Sequence, residues 1–130
     1  TNGNNFFSYS NHTKIVTDVA WSPDSKYIVT GDYNSDDSVR IWSVSQKSYQ
    51  QLFKGTSNQQ IYAVSWWPND KYIAAGGQDE KVKVRDATTE KLVLIYTGHN
   101  QPIMSVQWSH DGKSIASSSF DKTVQIWTVR

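Results

Sequence analysis

Apolar and polar positions alternate over short stretches of this chain, and the alternation comes back three times. Val39 and Ile41 flank Arg40, and Val124 and Ile126 flank Gln125. A period of two marks a strand with one face buried. Between such stretches lie Ser22-Pro23-Asp24, Trp67-Pro68-Asn69-Asp70 and Ser109-His110-Asp111-Gly112, which are chain-reversing residues. No stretch sustains the 3.6-residue period of an amphipathic helix. The pattern predicts an all-β chain of short strands joined by tight turns.

The strands repeat as a unit. Val19-Ala20-Trp21-Ser22-Pro23-Asp24 aligns with Val64-Ser65-Trp66-Trp67-Pro68-Asn69 and with Val106-Gln107-Trp108-Ser109-His110-Asp111. The shared Trp21, Trp66 and Trp108 recur at intervals of 45 and 42 residues. A second ladder, Asp36 to Trp42, Asp79 to Arg85 and Asp121 to Trp127, keeps intervals of 43 and 42. A fixed period in this range is the signature of a repeat architecture. Each unit reads as strands a, b and c, with a strand d between units at Tyr49–Lys54 and Leu92–Thr97.

These residues carry a family resemblance. The units resemble WD repeats, which open near a Gly-His and close near a Trp-Asp. Gly98-His99 matches the first motif, with Asn11-His12 in its place in the first unit. The closing position holds Trp42-Ser43, Arg85-Asp86 and Trp127-Thr128. The resemblance runs from about Phe6 to Arg130 and implies β-propeller blades of four antiparallel strands, three to the chain. It also implies a buried polar network in each blade: His99, Ser117 (in preference to Ser118), Asp121 and Trp127 in the third unit, and His12, Thr30, Asp36 and Trp42 in the first. The middle unit has Ser57 for the His and Arg85 for the Trp, so that blade is expected to lack the network and to be the softest.

The units divide as residues 6–48, 49–91 and 92–130, after a flexible segment at 1–5, each in the order d-a-b-c. On this division Phe6–Ser10 is a lone strand d, and strand c near Thr123–Val129 lacks a partner. Propellers have about four to eight blades, and three leave apolar faces and a bare strand edge in water. Two-fold symmetry offers the simplest closure, a six-bladed homodimer in which Phe6–Ser10 of one copy pairs with Thr123–Val129 of the other. A trimer of nine blades is a second arrangement. A fragment of a longer propeller, a designed or minimal self-assembling unit, and a regulatory domain of a larger, for example kinase-linked, protein are the competing readings.

Composition narrows the chemistry. Aromatic residues reach 13%, with six Trp and seven Tyr, which suits packing between sheets. With no Cys there is no disulfide or thiol chemistry, and a cytoplasmic setting follows as the expectation. A net charge of +1 gives no cause to expect nucleic acid or an anionic membrane. Ser117, His99 and Asp121 are the residue types of a hydrolase triad, but no Gly-x-Ser-x-Gly elbow is present, and no catalytic role is assigned. Asp32-Tyr33-Asn34-Ser35-Asp36-Asp37 resembles the first half of a calcium loop. Its Gly position is Asp37 and its closing Glu falls on Ser43, so it reads as a widened polar turn. His12, His99 and His110 lack zinc spacing, and no metal or cofactor is expected. Lys81, Lys83 and Arg85 read as a solvent-facing or inter-blade stripe.

The resemblance places partner contacts on one mouth of the channel. The residues just before the turn Asp are Ser35, Gln78 and Phe120, and those four before the strand-a Trp are Thr17, Tyr62 and Met104. Aromatic and Met side chains among polar neighbours suit peptide recognition. The alternative is that Met104 and Phe120 pack on neighbouring blades. The function this implies is a protein-interaction scaffold with no enzymatic activity, whose partners are peptides, other proteins and further copies of itself.

Overall fold

The computed structural model describes residue 3 and residues 7–10, 12–34, 39–53 and 59–129, the side chains of 51–53 apart. Eleven strands form three antiparallel sheets among these residues. The first sheet holds β1 (Val16–Trp21), β2 (Tyr27–Asp32), β3 (Val39–Ser43) and β4 (Ser48–Phe53) in that order. The second holds β5 (Ile61–Trp66), β6 (Tyr72–Gly77), β7 (Val82–Asp86) and β8 (Leu92–Tyr96). The third has three strands, β9 (Ile103–Trp108), β10 (Ser114–Ser119) and β11 (Val124–Thr128).

The sheets share one register. Trp21 faces Ile28, Trp66 faces Ile73 and Trp108 faces Ile115. The a–b turn ends on a left-handed residue at the same place each time: Ser25 (φ 61°), Asp70 (φ 64°) and Gly112 (φ 70°). Strand a of each sheet also bulges at the same place. Val16 and Asp18 pair with consecutive Asp32 and Gly31, so Thr17 is the extra residue, and Tyr62 and Met104 take the same role in β5 and β9.

The core lies between sheets. Val29, Val39 and Ile41 of the first meet Ile61, Val64, Trp66 and Ile73 of the second. Ala63, Ala74, Val82 and Val84 of the second meet Ile103, Val106, Trp108 and Ile115 of the third. Adjacent sheets approach closely at glycine: a Cβ on Gly31 would lie 2.5 Å from Ile61 Cγ2, and one on Gly76 would lie 2.8 Å from Ile103 Cγ2. The middle sheet is therefore covered on both faces. The outer faces are not: Trp21 is 58% exposed, and Val124 and Ile126 are 72% and 74% exposed.

One expectation changes here. Residues 7–10 form no strand, and Phe6 lies outside the described residues. The segment instead lies over the first sheet, where Tyr9 Oη donates to Ser43 O at 2.8 Å and the Tyr9 ring sits 5.0 Å from Trp42. Of the basic stripe, Lys81 is solvent-facing while Lys83 and Arg85 take the inter-blade position, buried because β7 is sandwiched between neighbouring sheets.

Candidate functional site

In the third sheet, Trp127 Nε1 donates to Ser117 Oγ at 2.8 Å. The indole N–H can only donate, so the hydroxyl accepts it and turns its own hydrogen to His99 Nε2, 2.8 Å away. That leaves the imidazole proton on Nδ1, which faces Asp121 Oδ2 at 2.7 Å. Burial works to raise the Asp121 carboxyl. Hydrogen bonds from Thr123 Oγ1, His99 and the backbone N–H groups of Thr123 and Asn100 outweigh it and hold the carboxyl well below the ordinary carboxylate range. Ser117 is 2% exposed, so this Ser, His and Asp offer no nucleophile to a substrate.

The first sheet repeats the geometry with a different acid. Trp42 Nε1 donates to Thr30 Oγ1 at 2.9 Å, and His12 Nε2 lies 2.7 Å from the same oxygen. His12 Nδ1 faces Asp32 Oδ2 at 2.6 Å, so Asp32 takes the place expected of Asp36, which lies outside the described residues. Thr30 and Asp32 are two apart on β2, so their side chains fall on one face. Arg40 Nη1 completes the pairing, 2.8 Å from Asp32 Oδ2.

The middle sheet places Ala75 where Thr30 and Ser117 supply the hydroxyl, since all three face the second residue of strand c: Lys83, Arg40 and Gln125. Ser57 lies outside the described residues. Lys83 Nζ reaches Asp79 Oδ2 at 2.8 Å, an ion pair in the position of Arg40 with Asp32.

One contact was missed in the sequence. Tyr96 Oη donates to Thr128 O at 3.0 Å and its ring lies 4.9 Å from Trp127, which is the geometry of Tyr9 against Ser43 and Trp42. Tyr9 precedes His12 by three residues and Tyr96 precedes His99 by three, and that shared spacing was the available signal.

At the mouth, Thr17, Tyr62, Met104 and Phe120 line one cavity of about 430 Å³, together with Ile15, Val16 and Tyr33. Three of the four expected residues are the bulge residues of strand a, and a bulge re-aims its side chain out of the ladder. Thr17 Oγ1 donates to Ile61 O at 2.7 Å and joins the first two sheets. Tyr62 stands edge-on to Tyr33 with ring centroids 5.6 Å apart, and its hydroxyl donates to Gln60 Oε1 at 3.1 Å. Met104 and Phe120 are exposed in the single chain, Phe120 by 60%. Gln78 is not among the residues lining this cavity; its Oε1 accepts from Gln60 N at 3.2 Å, and Ser35 lies outside the described residues. Ile15 and Tyr33 were not anticipated; both are apolar residues beside a strand end, a signal too common to single them out.

Stacked antiparallel sheets of three or four strands, with a His–hydroxyl–Trp chain in the first and the third, define blades of a β-propeller. The WD domain, G-beta repeat model matches residues 3–43, 47–86 and 90–128, and the chain belongs to the WD-repeat family. It is similar to cell division cycle 20.1, cofactor of APC complex, of Arabidopsis thaliana: 28% identical over 86% of this chain and 24% of that protein. The anaphase-promoting complex subunit cdc20 of Dictyostelium discoideum is 24% identical over 95% of the chain and 24% of its own length. The serine-threonine kinase receptor-associated protein of the same organism is 30% identical over 86% of the chain and 36% of its own length. The chain thus spans a quarter to somewhat over a third of these relatives. Among the described residues no helix is long and apolar enough to cross a membrane, and no group of His, Asp and Glu is placed to hold a metal.

Proposed function

We propose that this chain is a non-catalytic, cytoplasmic scaffold module that grips a peptide of another protein at the mouth lined by Tyr62, Met104 and Phe120. The observation that carries this reading is the set of bulged residues from three separate blades lining one cavity with the exposed Phe120 ring. Rigid blades present these side chains and a partner supplies the segment that covers them. The names of the relatives, a complex cofactor and a receptor-associated protein, fit a module whose work is holding. The test compares proteins captured by the chain and by a Tyr62→Ala/Phe120→Ala variant, with thermal melting run in parallel. Partners should be lost at an unchanged melting temperature; a variant that unfolds, or that keeps every partner, sinks the assignment.

The proposal extends to self-association. The exposed Val124 and Ile126 face of the third blade and the exposed Trp21 face of the first are the two ends of a three-blade stack, and they suit one another across a two-fold axis. Tyr96 leaves β8 of one sheet to bond the next sheet, and Tyr9 makes the same bond to the first sheet. That shared bond supports reading residues 7–10 as a segment that pairs as strand d with Thr123–Val129 of a second copy. Light scattering should give twice the chain mass of 14.8 kDa, and a folded monomer at micromolar concentration would overturn this part.

A further inference from the structure

The ends of the strands opposite the mouth carry a second cavity, of about 320 Å³, between the first and second blades. Asp24, Tyr27, Gln50, Trp66, Asp70 and Thr88 are among its lining residues. Two polar atoms of that lining have no partner: Trp66 Nε1 and Asp70 Oδ1 are both buried without a hydrogen bond. Trp66 itself is 9% exposed, and its ring lies 6.4 Å from that of Tyr27, nearly parallel. Asp24 uses Oδ1 to accept from Ser22 and from the Lys26 N–H, which leaves Oδ2 open. Among the described residues neither Asp24 nor Asp70 makes an ion pair.

The next junction holds the same cavity built differently. There Tyr72 stands for Tyr27, Val93 for Gln50 and Gly112 for Asp70. Trp67 stands where the first blade has Ser22, crosses the junction and donates from Nε1 to Gly112 O at 2.9 Å. Trp108, the counterpart of Trp66, also has a bare N–H, but Trp67 lies against it, ring centroids 6.1 Å apart, and lines the cavity in its place. The second junction thus shows that a flat ring bearing an N–H donor fits against these turns. The first junction has Ser22 in place of Trp67, so its slot is not filled by that ring; it presents two carboxylates, Asp24 and Asp70, where the second presents Asp111 beside Gly112, Val93 and Leu94. Asp70 holds its place at φ 64°, where the glycine of the third blade would sit without strain.

We infer that this slot binds the arginine side chain of a partner peptide. A guanidinium is flat, stacks on aromatic faces and forks its donors onto carboxylates, so Tyr27, Trp66, Asp24 and Asp70 complement it together. The backbone carbonyl of the same peptide supplies the acceptor that Trp66 Nε1 lacks. The chain then holds partners at both ends of its strands, apolar at the mouth and cationic at the opposite end.

Blocked glycyl-arginyl-glycine amide, titrated into the 130-residue chain with amide and indole N–H signals followed by NMR, provides the test. The Trp66 indole and the Asp70 and Thr88 amides should move. The citrulline analogue, flat but uncharged, and the Asp70→Gly variant, which copies Gly112 and is not expected to strain the turn, should each bind about tenfold more weakly. Asp24→Asn should weaken binding in the same direction. Equal binding of arginine and citrulline peptides, unchanged binding by Asp70→Gly, shifts confined to the Tyr62 and Phe120 mouth, or no shifts at millimolar peptide would each overturn the assignment.

Discussion

Ser117 and Thr30 each receive an indole N–H and face an imidazole inside a blade. Ser117→Ala would leave Trp127 Nε1 and His99 Nε2 without their shared partner, at a cost of about 1–3 kcal/mol. Urea denaturation should show a lower midpoint with unchanged slope. Ala75→Ser in the middle blade should gain nothing, because Arg85 stands where the donor indole would be. The acid side of the stability curve follows from Asp121. Its folded carboxyl titrates below the unfolded one, so its contribution is present above the unfolded value near 4 and fades as pH falls towards the depressed one. Thermal melts should decline below about pH 4, and Asp121→Asn should flatten that decline. The His, hydroxyl and Trp of this chain could be read from sequence because they sit at fixed offsets. Asp36 was the expected acid because offsets were counted back from strand c, whereas the carboxylate facing His12 belongs to β2, where alternation along a strand decides the face.

The three strand-a bulges and the three left-handed turn residues recur at equivalent sites. Ser25→Gly should stabilise the first blade by about 0.5–1 kcal/mol, since Ser25 is exposed and sits at φ 61° where glycine is unstrained. Gly76→Ala should do the reverse. Its Cβ would meet Cγ2, Cβ and Cγ1 of Ile103 at 2.8–3.2 Å, and a β-branched neighbour has little freedom to retreat. A loss of about 1–3 kcal/mol is expected, read as a lower melting temperature. Strand positions were readable because alternation and turn residues act locally. The bulges were not, because a single extra residue in strand a shows only when its pairing with strand b is known. Phe6–Ser10 reads as a strand d from its place before the first unit, but a strand also needs a partner edge, and in the single chain residues 7–10 pair with none.

The three blades form a stack with a doubly covered centre and two open ends. If a second copy covers those ends, the melting temperature should rise with protein concentration, and Ile126→Lys on the bare β11 face should abolish that dependence while leaving the fold intact. The number of blades was plain from the repeat; what covers the outer ones is not encoded in any local pattern. The spacing between blades is not uniform either. Gly31 and Gly76 let the next blade's isoleucine come almost onto the backbone, and the third blade puts Ser118 at that position. Whatever follows the third blade must stand further off than its two predecessors. A ring closed by two such chains would carry two wide gaps on opposite sides, and its central opening would be oval rather than round.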